Sequence, residues 1–411
     1  MHSLKAMLHL LFTTMKNNKV VLAFSGGLDT SYCAKFLAED KGLEVFAAIV
    51  NTGGFSVEDL AQIAERAKLL GLQHFTVLDE TQNYYQNCLR YLIYGNVLRN
   101  STYPLSVSSE RMFQAIAIVN YAKQIGAAYI AHGSTGAGND QVRFDLAFQI
   151  LAPEIDIITP IRDKKLSREE EIEYLKNKGI DLNWEKAAYS INKGLWGTSV
   201  GGKETLTSHQ SLPPHAYPTQ LQTTILEKNI TLHFEKGELV GIDNQTFSTP
   251  VAAIQALDQM AAPFAIGRDV HIGDTIIGIK GRVGFEAAAP LIIIKSHHTL
   301  EKHTLTKWQA YWKEQMANWY GMMLHEAQYL EPVMRNIEEF LTSTQQNVTG
   351  EVFVKLLPYR FEVMGIASKH DLMQAKFGKY GEMNNTWSGE DVKGFIKIFG
   401  NQMKIYHSVN E

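Results

Sequence analysis

The sequence predicts an α/β domain built on a doubly wound parallel sheet, an α+β domain after it, and a separate C-terminal segment. Three observations predict this. Over the first 165 residues, short Val- and Ile-rich runs alternate with helical patterns, as they do in parallel sheets covered on both faces. Two glycine-rich segments, Ser25–Ser31 and Gly133–Gly138, fall at predicted strand ends, where such sheets bind their ligands. After residue 166 that alternation stops, and strand pairs and helices follow in irregular order. The predicted divisions are an extension at 1–14, domains at 15–165 and 166–367, and a tail at 368–411.

The opening strand is Lys19-Val20-Val21-Leu22-Ala23-Phe24, and Ser25-Gly26-Gly27-Leu28-Asp29-Thr30-Ser31 turns it into a helix that continues through Tyr32, Phe36 and Leu37. Backbone N–H groups at such a turn carry partial positive charge and suit a phosphate. Two glycines remove the Cβ atoms that would hold a bulky anion away. Ser25, Thr30 and Ser31 add hydroxyl donors, and Asp29 can hold a metal ion or a water bound to one. Next come a strand at 43–50, an amphipathic helix at 57–70, a strand at 74–78, helical segments near 81–91 and 109–124, and strands at 127–131 and 155–158. Ser167-Arg168-Glu169-Glu170 reads as a capping box that starts a helix ending near Gly179.

In the second domain, 190–202 reads as a Gly- and Ser-containing loop, and 231–234 with 239–242 as a hairpin around Lys236-Gly237. Further strands are expected at 275–279, 291–295, 352–356 and 361–364. Helices are expected at 250–261, capped by Thr249 with Pro250 at its first position, at 305–324 and at 332–341. Trp308, Tyr311, Trp312, Trp319 and Tyr320 fall at helical spacing and read as core or subunit contact. His297, His298 and His303 read as surface or strand-end residues, and no metal site is expected.

Composition narrows the function. The 411 residues are 45% hydrophobic and 20% charged, as in ordinary globular proteins. A formal net charge of −4 leaves no general footprint for nucleic acid, and no apolar run is long enough to cross a membrane. Two cysteines, Cys33 and Cys88, build neither a disulfide framework nor a zinc site, and a reducing cytoplasm fits them. Leu8–Phe12 is too short for a signal h-region, so 1–14 reads as an extension before a start at Met15.

The second glycine-rich segment, Ala131-His132-Gly133-Ser134-Thr135-Gly136-Ala137-Gly138-Asn139-Asp140-Gln141-Val142-Arg143-Phe144, has the glycine spacing of a Walker loop. Asn139-Asp140 stand where Lys-Ser or Lys-Thr is required, so that match fails. Ser25–Ser31 and Gly133–Phe144 together resemble the argininosuccinate synthase family, within the N-type ATP pyrophosphatases. Tyr103, Ser108, Arg111, Tyr189-Ser190, Ser199 and Gly278–Arg282 support the resemblance, which runs from Lys19 to the C-terminus.

The resemblance implies an AMP-forming carbon–nitrogen ligase of arginine biosynthesis, using ATP with Mg²⁺, citrulline and L-aspartate, and assembled as a cytoplasmic homotetramer. It implies ATP contacts at Ala23, Phe24, Ser25, Gly26, Gly27, Leu28, Asp29, Thr30, Ser31, Val50 and Gly133. It implies aspartate contacts at Thr135, Asn139 and Asp140, and citrulline contacts at Tyr103, Ser108, Asn139, Arg143, Ser190 and Ser199, with Asp29 and Arg143 serving the chemistry. The rival readings are a tRNA-thiolating relative, which usually needs reactive cysteines, and a non-catalytic ATP-binding paralogue.

The pattern breaks at three places. Gly273 and Phe285 stand where the family places a Glu and a Tyr for citrulline, and Gly54 stands where it usually has Gln. A charge-assisted hydrogen bond is worth roughly 1.5–3 kcal/mol, so losing the Glu would weaken free citrulline about ten- to a hundredfold. Two alternatives follow: citrulline in a rearranged pocket, or a citrulline whose α-amino group is acylated and carries no charge, with Gly273 leaving room for the acyl group.

Overall fold

The computed structural model describes residues 17–182, 184, 189–224, 226–374, 380–382 and 386–411, so the expected extension at 1–14 lies outside it. Its first sheet is parallel, in the order β3-β2-β1-β4-β5. These strands are β1 (Lys19–Ala23), β2 (Glu44–Asn51), β3 (His74–Asp79), β4 (Tyr129–Ala131) and β5 (Asp156–Ile158). Alternation along β1 sends Val20 and Leu22 to one face and Val21 to the other, so each face has its own apolar core. Helices α1 (Leu28–Lys35) and α2 (Val57–Leu69) follow β1 and β2, and α3 (Ser106–Gln124) and α4 (Asp140–Leu151) flank β4. A capping box at Ser56 starts α2, and another at Ser167 starts α5 (Arg168–Asn177).

Two antiparallel sheets follow. One has the order β10-β9-β8-β13-β14, with β8 (Lys228–Glu235), β9 (Glu238–Ile242), β10 (Gln245–Thr246), β13 (Gly350–Leu357) and β14 (Arg360–Ala367). The other has the order β11-β12-β7-β6, with β6 (Ser190–Gly194), β7 (Gly197–Gly201), β11 (Arg268–Asp274) and β12 (Lys280–Glu286). Helices α6 (Pro250–Ala261), α7 (Ala288–Thr304), α8 (Lys307–His325) and α9 (Pro332–Thr344) pack around them, and α10 (Gly389–Phe399) and α11 (Asn401–Asn410) end the chain.

Four sequence expectations are corrected. Residues 190–202 form the β6–β7 hairpin, because β12 offers β7 a partner through Gly284–Glu286 that no local pattern reveals. Residues 275–279 are the turn joining β11 to β12, with Thr275 Oγ1 accepting from the Ile279 amide at 2.9 Å. The run Leu291–Lys295 lies inside α7, where Ile292, Ile293 and Ile294 are all buried, so a short apolar run read as strand is a helix buried nearly all round. His297 is a core residue of the same helix: its ring bonds Asn96 Oδ1 at 2.7 Å and Gln345 Oε1 at 2.8 Å. Of the α8 aromatics, Tyr320 is buried and Trp308, Tyr311, Trp312 and Trp319 are exposed.

Candidate active site

A cleft of about 880 Å³ opens at the carboxyl ends of β1, β2 and β4. Its lining includes Ala23, Phe24, Ser25, Gly27, Leu28, Asp29, Thr30, Val50, Gly133, Asp140 and Ser190. Gly26 and Ser31 are buried and brace the loop from within. Gly26 adopts φ +73°, and its carbonyl accepts from Arg66 Nη1 at 2.5 Å. Ser31 Oγ donates to the Gly27 carbonyl at 2.7 Å, and Ser25 Oγ accepts from the Gly27 amide at 3.3 Å. Gly133 approaches α1 so closely that a Cβ there would lie 3.2 Å from the Asp29 carbonyl carbon. His132 fixes this second loop: its Nδ1 accepts from the Ser134 amide at 3.1 Å, which leaves Nε2 to donate to Asp145 at 2.8 Å.

Arg66, Arg111, Arg168 and Lys193 also reach the cleft, from α2, α3, α5 and β6. Sequence reasoning gave none of these four a role at the nucleotide, because no motif links cations on four separate elements. Burial and the neighbouring Asp29 carboxylate push Glu171 up to about 8.

On the far wall Asp140 Oδ2 accepts from Arg111 Nε at 3.0 Å and Oδ1 from Arg143 Nη1 at 2.9 Å. Burial alone would raise this carboxyl, but the two guanidinium groups hold it below its ordinary value. Arg143 is itself buried, and its Nη2 donates to the His325 carbonyl at 3.0 Å. Asn139 Oδ1 accepts from the Ile276 amide of the β11–β12 turn at 2.9 Å, and Thr135 is exposed on the rim loop.

Tyr103, Ser108 and Ser199 are buried. Tyr103 stacks on His271 at 5.1 Å and tilts against Phe285 at 5.3 Å, while Phe285 stands opposite Ser199 in the β12–β7 register. A Cβ on Gly273 would meet His271 Nε2 at 2.7 Å, so the His271 ring takes the space beside that glycine. Burial and then Arg99 lower His271 to about 4, which keeps it neutral. Gly54 has a similar cause: a Cβ there would lie 2.6 Å from the Lys193 carbonyl of the β6–β7 hairpin. Both cysteines are buried, and burial pushes both thiols up, which opposes thiolate chemistry.

Among the described residues, no helix is long and apolar enough to cross a membrane. Comparison with known proteins covers nearly the whole chain. Residues 19–181 match the family model described as the arginosuccinate synthase N-terminal HUP domain, and residues 189–406 match the model for the C-terminal domain. The chain is similar to argininosuccinate synthase of Dictyoglomus turgidum, with 37% identity over 399 residues, covering 95% of this chain and 98% of the relative. It is 35% identical over 409 residues to the enzyme of Xanthomonas campestris pv. campestris, covering 96% and 100%. It is 34% identical over 390 residues to that of Methanocaldococcus jannaschii, covering 94% and 97%. A glycine-turned loop on one cleft wall, a guanidinium-clamped carboxylate on the other and similarity over about 95% of the chain lead to one conclusion: the chain belongs to the argininosuccinate synthase family.

Proposed function

We propose that this protein joins citrulline to L-aspartate at the expense of ATP, releasing AMP and diphosphate. The observation that carries this reading is the single cleft in which the Ser25–Thr30 loop faces Asp140 and Arg111. The ureido oxygen attacks the α-phosphorus and diphosphate leaves; the aspartate nitrogen then attacks the activated carbon and AMP leaves. Neither step needs a protein nucleophile. Both need neutralised charge and close positioning.

In this reading the loop amides with Arg66, Arg168 and Lys193 hold the polyphosphate. Asp140, Asn139 and Thr135 orient aspartate, while Tyr103, Ser108, Asn139, Arg143, Ser190 and Ser199 hold the ureido substrate. The Asp29–Glu171 carboxyl pair beside the loop is a place that a divalent cation would relieve of negative charge. Asp29 is the residue that would hold Mg²⁺, which supplies charge neutralisation on the phosphates when bound. Tetramer formation through the C-terminal helices and a cytoplasmic location complete the proposal.

A second reading concerns the ureido compound. The lack of a carboxylate at Gly273 and of a hydroxyl at Phe285 favours a citrulline with an uncharged, acylated α-nitrogen, but the room expected at Gly273 for the acyl group is taken by the His271 ring. Asp274, the neighbouring carboxylate, is engaged by Lys280 at 2.6 Å, and the buried groups at that end include the Arg99 Nη1 and His271 Nδ1 nitrogens, both without partners. Initial rates of diphosphate release with citrulline, N-acetylcitrulline and N-succinylcitrulline test both readings. Preference for free citrulline defeats the acyl reading, and no release with any of the three defeats the ligase.

A further inference from the structure

Arg162 stands on the short helix Pro160–Lys164 after β5, and neither it nor Asp145 nor Gln141 lines the cleft. One nitrogen of its guanidinium nevertheless reaches both ends of the second glycine loop. Nη1 donates to Asp145 Oδ2 at 2.7 Å and to Gln141 Oε1 at 3.4 Å, while Nη2 is fixed on Thr159 Oγ1 at 2.9 Å. The first arm runs from Asp145 Oδ1 to His132 Nε2 at 2.8 Å, and from His132 Nδ1 to the Ser134 amide at 3.1 Å. It ends beside Gly133, which packs against Asp29 and Thr30. The second arm runs through Gln141 Nε2, which donates to the Gly136 carbonyl at 2.6 Å and the Gly138 carbonyl at 3.3 Å. It ends between Thr135 and Asn139.

Each link of the first arm has a fixed polarity. Burial would raise the Asp145 carboxyl, but hydrogen bonds from His132 and Arg162 hold it below its ordinary value, so it is ionised and only accepts. His132 is 1% exposed, and its proton sits on Nε2 because Nδ1 faces an N–H. Reversing one link therefore reverses the next. Resting on the ligase reading, we propose that Arg162 is a positioning residue that sets the two halves of the 133–138 loop separately, the Asp145–His132 arm for the nucleotide and the Gln141 arm for L-aspartate. A misplacement of about 1 Å costs about 10²-fold in rate, so a brace outside the cleft governs the chemistry inside it.

Asp145→Asn tests the first arm. Arg162 offers only donors, so the new amide turns its oxygen to Arg162 and its NH₂ to His132. The imidazole proton then moves to Nδ1 and confronts the Ser134 amide. Nitrogen-15 shifts of the His132 ring, assigned by their loss in His132→Gln and read without substrates, should report Nε2–H in the unmodified protein and Nδ1–H in D145N. Adding Arg162→Met frees the amide to turn back and should restore Nε2–H. Exchange of labelled diphosphate into ATP, with the ureido substrate but no aspartate, reports the nucleotide half alone. In D145N the KM for ATP in that exchange should rise about 10–100-fold. In Gln141→Leu it should stay within about threefold, while the KM for aspartate in product formation rises at least about tenfold. If D145N does not fold, Arg162→Lys decides: one ammonium cannot reproduce the planar fork, and both KM values should rise. Retention of Nε2–H in D145N, equal losses of both reactions in D145N and Q141L, or an unchanged R162K overturns the assignment. An unmodified protein that exchanges no diphosphate with any ureido compound defeats the ligase reading instead, and the His132 tautomer in D145N then still decides whether Arg162 sets the loop.

Discussion

Asp140 ties three helices together, because the two guanidinium groups that clamp it come from α3 and α4 and one of them, Arg143, is anchored to the His325 carbonyl in α8. Asp140→Asn removes the charge that fixes both. A charge-assisted bond is worth roughly 1.5–3 kcal/mol, so kcat/KM for aspartate should fall at least about tenfold, measured by diphosphate release. His271 gives a pH signature. Folded, it titrates near 4, against 6.5 for the ordinary imidazole, so between these values the unfolded chain holds the extra proton. Its contribution therefore weakens the fold as pH drops from 6.5 towards 4 and disappears above 6.5. His271→Gln should lose stability less steeply than the unmodified protein across that window, read from urea midpoints. The place of the Ser25–Thr30 loop at the cleft was legible in the sequence because its residues are contiguous and follow a strand directly. That of Lys193 was not, since its relation to the cleft depends on α3 and the β6–β7 hairpin meeting in space.

At the scale of elements, legibility followed local physics. The Ser167 box carries its whole signal in four residues: the Glu170 amide donates to Ser167 Oγ at 3.3 Å, and the Ser167 amide to Glu170 Oε2 at 2.7 Å. Ser167→Ala should cost about 1 kcal/mol of folding free energy, measured by chemical denaturation. Thr249 and Pro250 marked the start of α6 for the same reason, with Thr249 Oγ1 accepting from the Ala252 amide at 3.2 Å. The β6–β7 hairpin had no such signal. Its strands contain glycine at both ends of β7 and lysine and asparagine in β6, and they exist because β12 supplies the missing ladder. The Leu291–Lys295 run failed for the opposite reason, since burial on nearly every side of α7 erases the amphipathic period that separates helix from strand.

Across the whole molecule, α10 and α11 expose Phe395, Ile396, Ile398, Phe399, Met403, Ile405, Tyr406 and Val409, an apolar surface with no cover among the described residues. Such a patch marks an interaction surface. The tetramer proposed above predicts that ending the chain before Ser388 yields smaller species, read by light scattering on a sizing column. A tetramer that survives the truncation would place its interfaces elsewhere. The β11–β12 hairpin has a different reach. It is one unbroken stretch from Arg268 to Glu286, and it carries Gly273, His271 and Phe285 together with the Ile276 amide that holds Asn139. In the proposed function the end of the ureido compound would be read by a cassette encoded in 19 consecutive residues. Exchanging that cassette with a relative's would transplant substrate choice as a single block, and selection could retune the enzyme there while leaving the nucleotide chemistry untouched.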